Sequence, residues 1–158
     1  FGAGGAARAI AVEMALAEAE EITILNVSER GKSLADLLNN RTPAKASFRP
    51  WNRTFSIPSD TDIVINATPV GLYPDIEQRL NIRVDTLRPQ MIVADCIPNP
   101  VYTHLLKDAL ANGCKQILPG MNMLIYQAMI AIKYWTGKDV DTDIMKQELM
   151  RVLGLLKQ

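Results

Sequence analysis

The chain has 158 residues, 48% hydrophobic and 22% charged, and its 17 basic and 17 acidic side chains cancel to a formal charge of zero. That length suits one domain around a single core, and the lack of a basic run argues against a nucleic-acid partner. No stretch approaches the 18 apolar residues that cross a bilayer, and Cys96 and Cys114 lie outside any metal-ligand spacing, as reduced thiols of a cytoplasmic protein would.

The sequence opens on Phe1 with no initiator Met and no targeting stretch. Gly2-Ala3-Gly4-Gly5-Ala6-Ala7 reads as the turn between a strand and a helix, with Phe1 as the last residue of that strand. A doubly wound sheet of order 3-2-1-4-5-6 puts that strand in the middle. The expectation is therefore a piece of a longer polypeptide that supplies the strand. A helix is expected over residues 6–19, with Ala9, Val12, Leu16 and Ala19 at helical spacing, and a strand over 21–26. A turn over 28–32 leads to a helix over 33–40, a weaker strand over 44–51 and a stronger one over 62–66. Residues 71–89 read as loop, 91–95 as a buried strand, and 102–111 as a helix stopped by Gly113. A short strand over 115–118, an apolar helix over 121–134 and an amphipathic helix over 141–156 complete the order. Strands alternating with helices imply a Rossmann-like, doubly wound α/β domain over 1–158, with a mostly parallel sheet and helices on both faces.

The spacing Gly2-x-Gly4-x-x-Ala7 is that of a dinucleotide-binding turn. The first glycine permits the turn, the second admits a diphosphate to the backbone, and the small third residue lets helix and strand pack closely. The anion would sit on the free N–H groups of Gly2, Ala3, Gly4, Gly5 and Ala6 at the helix start. Arg8 reads as a solvated first-turn residue. No acidic residue ends the second strand, where a carboxylate would hold the ribose of NAD. Asn26 and Ser28 offer neutral hydrogen bonds there, and Arg30 and Lys32 offer charge, which favours the 2′-phosphate of NADP; Glu29 opposes it.

Four strings, GAGGAARA at 2–9, NATPVG at 66–71, DCIPNPVYT at 95–103 and GMNMLIYQA at 120–128 followed by WTG at 135–137, resemble the nucleotide-binding half of shikimate dehydrogenases in order along nearly the whole chain. The resemblance implies NADP-dependent reduction of 3-dehydroshikimate to shikimate in aromatic amino-acid biosynthesis. It also implies that Asn66 and Thr68 line the cofactor cleft, and that Cys96 touches the nicotinamide through backbone or packing without acting as a nucleophile. Gly120 would let the nicotinamide approach, Met123 and Leu124 would pack near it, and Gln127 would hydrogen-bond a substrate hydroxyl. Met121, Met123 and Met129 otherwise read as core, Trp135 as a packing residue and His104 as a solvated helical histidine.

The family's catalytic lysine and aspartate belong to its upstream substrate domain, so the resemblance assigns no catalytic residue here and implies that the isolated chain does not turn over. Its partners would be the small-molecule substrate and that N-terminal domain, with a homodimer as one assembly it could form. Two departures stand out: Pro98 replaces a substrate-touching tyrosine, and Asn26-Val27-Ser28 replaces an Asn-Arg-Thr phosphate clamp. An NAD-preferring quinate/shikimate dehydrogenase is the near alternative, which Val27 and Glu29 favour. Methylenetetrahydrofolate dehydrogenase, disfavoured by the string around Gln127, and a non-catalytic metabolite sensor of the same fold are the more distant ones.

Overall fold

The computed structural model describes residues 1–155. Five parallel strands and five α-helices follow in the order α1 Gly5–Leu16, β1 Glu21–Asn26, α2 Arg30–Arg41, β2 Lys45–Pro50, β3 Ile63–Asn66, β4 Ile92–Asp95, α3 His104–Ala111, β5 Gln116–Leu118, α4 Gly120–Thr136 and α5 Thr142–Val152. β1 pairs with β2 on one side, and β3, β4 and β5 form a second parallel sheet in that order. Phe1 and Gly2 bridge the two. The Gly2 amide donates to the Leu25 carbonyl at 2.8 Å, the Phe1 nitrogen to Ile65 at 2.7 Å, and the Ala67 amide to the Phe1 carbonyl at 2.8 Å. The resulting order, β2-β1-(Phe1-Gly2)-β3-β4-β5, is the expected doubly wound one with Phe1-Gly2 at its centre.

Several boundaries differ from the sequence expectation, each for a local reason. α1 stops at Leu16 because Glu18 turns left-handed (φ 66°) and the Ala19 amide closes onto Met14, which ends the helix three residues early. Its buried face is Ala7, Ala11 and Ala15, whereas Ala9 and Leu16 point outward, so the expected apolar spacing picked the wrong stripe. α2 starts at Arg30 because Glu29 is already helical and the Gly31 amide bonds to Ser28; the expected turn is the helix's first turn. α3 begins after Thr103, whose hydroxyl accepts from the Leu106 amide, and leaves Tyr102 outside and exposed. Between β3 and β4, the expected loop contains a 3₁₀ turn, Val84–Thr86, and a bridge between Phe55 and Ile82. α5 is capped by Asp141 and gives way to a turn at Leu153; the expected end at residue 156 lies outside the described residues.

The core has two clusters, one on each side of Phe1-Gly2. Ala7, Ala11, Ala15, Ile24, Leu34, Ala35 and Leu38 join α1 and α2 to β1, while Val64, Val93, Met91, Leu105, Leu106 and Cys114 join α3 to β3 and β4. Phe1 packs on Trp51 at 4.9 Å between ring centroids and edge-on to Phe55 at 6.3 Å, and all three lie against the second cluster. α4 and α5 lie outside this layering. α5 buries no residue, and α4 buries only Gly120, Met121 and Ile125. No described helix is long and apolar enough to cross a membrane.

Candidate functional site

All parallel strands deliver their carboxyl ends to one edge, and the loops leaving them gather the residues singled out from the sequence. At its middle stands the start of α1. Gly4 is the N-cap, no side chain caps the helix, and its first turn carries no acidic residue. The first N–H groups of the helix are therefore unpaired by any carboxylate, beside the positive end of the helix dipole. A Cβ built on Gly4 or Gly5 would meet nothing within 4 Å, so the space above both is open. Gly2 differs. Its φ is +104°, and a Cβ there would stand 2.6 Å from the Ala67 carbonyl oxygen, so the first glycine is needed for the turn's own packing.

Toward β1, the Asn26 side-chain amide donates to the Ser28 carbonyl at 3.0 Å and to the Ser28 hydroxyl at 2.9 Å, holding the turn into α2. Val27 is 80% exposed and Arg30 is exposed at the first turn of α2. Lys32 points elsewhere: its ammonium pairs with Asp36 at 2.7 Å one turn along the outer face. Of the two cations expected here, only Arg30 is without a carboxylate partner among the described residues.

Toward β3 and β4 lies a buried polar network. Asn66, 1% exposed, donates from its amide to both oxygens of Asp95 at 3.1 Å, while its own oxygen accepts the Thr68 amide at 3.0 Å and the Thr68 hydroxyl at 2.7 Å. Asp95 also accepts the Ile97 amide at 3.0 Å and the Thr103 hydroxyl at 2.7 Å. Every partner donates to the carboxylate. Burial pushes the Asp95 carboxyl above its usual range, and the Ile97, Thr103 and Asn66 donors act against that shift. The Asn66 side chain thus joins the ends of β3 and β4, and the hydroxyl of Thr68 is tied to it.

Cys96 follows Asp95, half-buried and unpaired, and burial together with the neighbouring Asp95 charge raises its thiol pKa. Gly120 begins α4, and a Cβ there would lie 2.5 Å from the carbonyl oxygens of both Cys96 and Ile97. The close approach at this glycine is made by the exit from β4, so the helix start and that loop pack as one piece. On α4, Met123 and Gln127 stand one turn apart and both are exposed, with Tyr126, Ile130 and Tyr134 continuing the same stripe. Met123 at 37% and Trp135 at 76% exposure are therefore not core, contrary to expectation, while Met121 is. His104 is not free either: its ring pairs with Glu77 at 3.1 Å.

The sequence reading overlooked two features of this edge. One is the Asn66-Asp95-Thr103 network, whose signal was a buried strand ending in Asp with a threonine cap eight residues on. The other is an open depression of about 460 Å³ lined by Pro50, Asn52 and Arg53, just beyond β2.

Residues 120–150 match the family described as Shikimate 5'-dehydrogenase C-terminal domain. The chain is 38% identical over 155 residues to the shikimate dehydrogenase (NADP(+)) of Methanocaldococcus jannaschii, an alignment covering 95% of this chain and 53% of that protein. Among solved structures, the ligand-free 5-ketofructose reductase of a Gluconobacter strain is 44% identical with a TM-score of 0.87, over 96% of this chain and 54% of that one. A shikimate dehydrogenase in complex with NADP+ is 35% identical with a TM-score of 0.82, over 99% of this chain and 53% of that one. The chain spans about half the length of the curated relatives it matches, and the fold is Rossmann-like.

Proposed function

We propose, for a chain that matches shikimate dehydrogenases along nearly its whole length, that it is the dinucleotide-binding half of an NADP-dependent oxidoreductase that interconverts 3-dehydroshikimate and shikimate. The observation that carries this reading is the bare, uncapped start of α1 at the centre of the carboxyl edge, with open space above Gly4 and Gly5. Ala3, Gly4, Gly5 and Ala6 would hold the diphosphate through backbone N–H groups, and Gly2 fixes the turn that aims them. Asn26 and Ser28 would face the adenosine ribose and Arg30 the 2′-phosphate. Cys96 and Gly120, packed as one unit, and Met123 would border the nicotinamide, with Asn66 and Thr68 setting the spacing of the loops on either side. The cofactor, when bound, supplies a hydride; the residues of this chain bind it, orient it and shield it.

The reading assigns the proton-donating lysine and its aspartate to the substrate-binding half, so this chain alone binds coenzyme and does not turn over. The exposed stripe of Met123, Tyr126, Gln127, Ile130 and Tyr134 supports a second lobe on that side, with a homodimer as the other occupant, because an apolar row of this extent calls for cover. Gln127 at its centre would then meet the substrate hydroxyl at the junction. Two unpaired thiols suit a reducing compartment, the cytoplasm.

Fluorescence titration of the chain with NADPH and NADH tests the coenzyme assignment: saturable quenching by NADPH, weaker with NADH, is expected, and no binding of either would end it. A second reading, a reductase of a sugar-like ketone other than 3-dehydroshikimate, draws support from Pro98 in place of the expected tyrosine and from the 44% identity to a 5-ketofructose reductase. Comparing NADPH oxidation with 3-dehydroshikimate and with 5-ketofructose, in a polypeptide that carries both halves, separates the two.

A further inference from the structure

We propose, building on the NADP reading, that Arg53, in the loop that leaves β2, selects the 2′-phosphate of the coenzyme, acting with Arg30 from the neighbouring strand exit. β1 and β2 run parallel in a register that pairs Asn26 with Pro50, and the Trp51 amide donates to the Asn26 carbonyl at 3.0 Å. The loop over 51–53 therefore lies beside the turn that would receive the adenosine ribose. Neighbouring strands are about 4.8 Å apart, so the β2 exit stands two spacings, about 10 Å, from the glycine turn on the adenosine side.

Charge at this edge needs a source. The turn after β1 has Val27 where the phosphate clamp of the resemblance has arginine, Glu29 contributes a carboxylate at the N-cap of α2, and Lys32 is taken by Asp36. Arg30 alone would have to outweigh Glu29. Arg53 is exposed, lines the open depression with Pro50 and Asn52, and makes no ion pair or side-chain hydrogen bond among the described residues. A guanidinium left free beside an open depression is suited to fork onto a phosphate, and the Asn52 amide beside it offers neutral donors.

Titration of the full chain with NADP+, NAD+ and adenosine 2′,5′-bisphosphate, comparing wild type with Arg53→Ala and Arg53→Lys, decides the matter. Arg53→Ala should weaken NADP+ and the bisphosphate about tenfold or more, leave NAD+ within about twofold, and keep the melting temperature, with Arg53→Lys falling between. Unchanged NADP+ affinity in Arg53→Ala, or an equal loss for NADP+ and NAD+, would overturn the assignment while leaving the dinucleotide reading standing. A wild-type chain that bound neither dinucleotide would overturn both.

Discussion

Glycines 2 and 4 stand two residues apart in the same turn and meet different surroundings in the structure. Gly2 combines a left-handed φ with a 2.6 Å approach to the Ala67 oxygen, while a side chain at Gly4 would point into open space from ordinary backbone. Gly2→Ala should therefore lower the thermal midpoint, by an amount worth about 1–3 kcal/mol for a strained residue. Gly4→Val should leave folding close to wild type and abolish NADPH quenching, because its branched side chain would fill the space proposed for the diphosphate. A Gly4→Val chain that still bound NADPH would remove the turn from the site. Asp95 yields a second prediction. All its hydrogen-bond partners donate, and an asparagine would present one oxygen and a surplus amide to them, so Asp95→Asn should cost about 1–3 kcal/mol in urea unfolding at pH 7. Its pH dependence has a definite sign. Burial raises the folded-state pKa above 3.8, so the folded chain holds this proton more tightly than the unfolded one. The contribution of Asp95 to stability is then greatest below 3.8 and falls as pH rises through the window up to the raised value. Comparing wild type with Asp95→Asn across that window should show the wild type losing its relative stability as pH increases.

Among the elements, the strands were legible because β-branched runs such as Ile63–Asn66 and Ile92–Asp95 are short, apolar and bounded by turn residues. The helix ends were less so. α2 absorbs the turn that Ser28 to Lys32 appeared to make, because backbone bonds from Gly31 and Ser33 close a helical turn there, and no side-chain pattern signals it. The inward face of α1 escaped notice for a related reason: alanines at 7, 11 and 15 carry little hydrophobic contrast, and only the close packing of α1 against β1 and α2 singles them out. In α4 the apolar pattern is visible in the sequence, but a row of Met, Tyr and Ile has the same signature whether it meets the chain's own sheet or another surface. That outward row carries a prediction. Ile130→Lys with Tyr134→Lys should leave the unfolding midpoint nearly unchanged, since these residues are 62% and 88% exposed, and should reduce self-association of the chain in light scattering. Gln127→Ala, in the same stripe, should leave NADPH affinity intact.

For the molecule as a whole, the centre of the sheet governs both stability and the shape of the site. β1 and β3 are joined through Phe1 and Gly2 by three backbone hydrogen bonds among the described residues. Aromatic packing of Phe1 on Trp51 and Phe55 covers part of that seam. The same seam sets how far the β1-β2 half, with the Arg30 and Arg53 side of the site, stands from the β3-β4-β5 half, with Asp95, Cys96 and Gly120. A design that adds a five-residue strand such as Val-Thr-Ile-Val-Ile before Phe1 would offer new bonds to β1 and β3, each worth about 0.5–1.5 kcal/mol net when made. The urea midpoint of the extended chain should rise, and NADPH affinity should rise with it, because a fixed spacing between the two halves lowers the ordering cost of binding. Higher stability without tighter binding would show that the halves are already held at the separation the coenzyme needs. An unchanged midpoint would show that the Phe1 packing, and not backbone bonding, sets the strength of the seam.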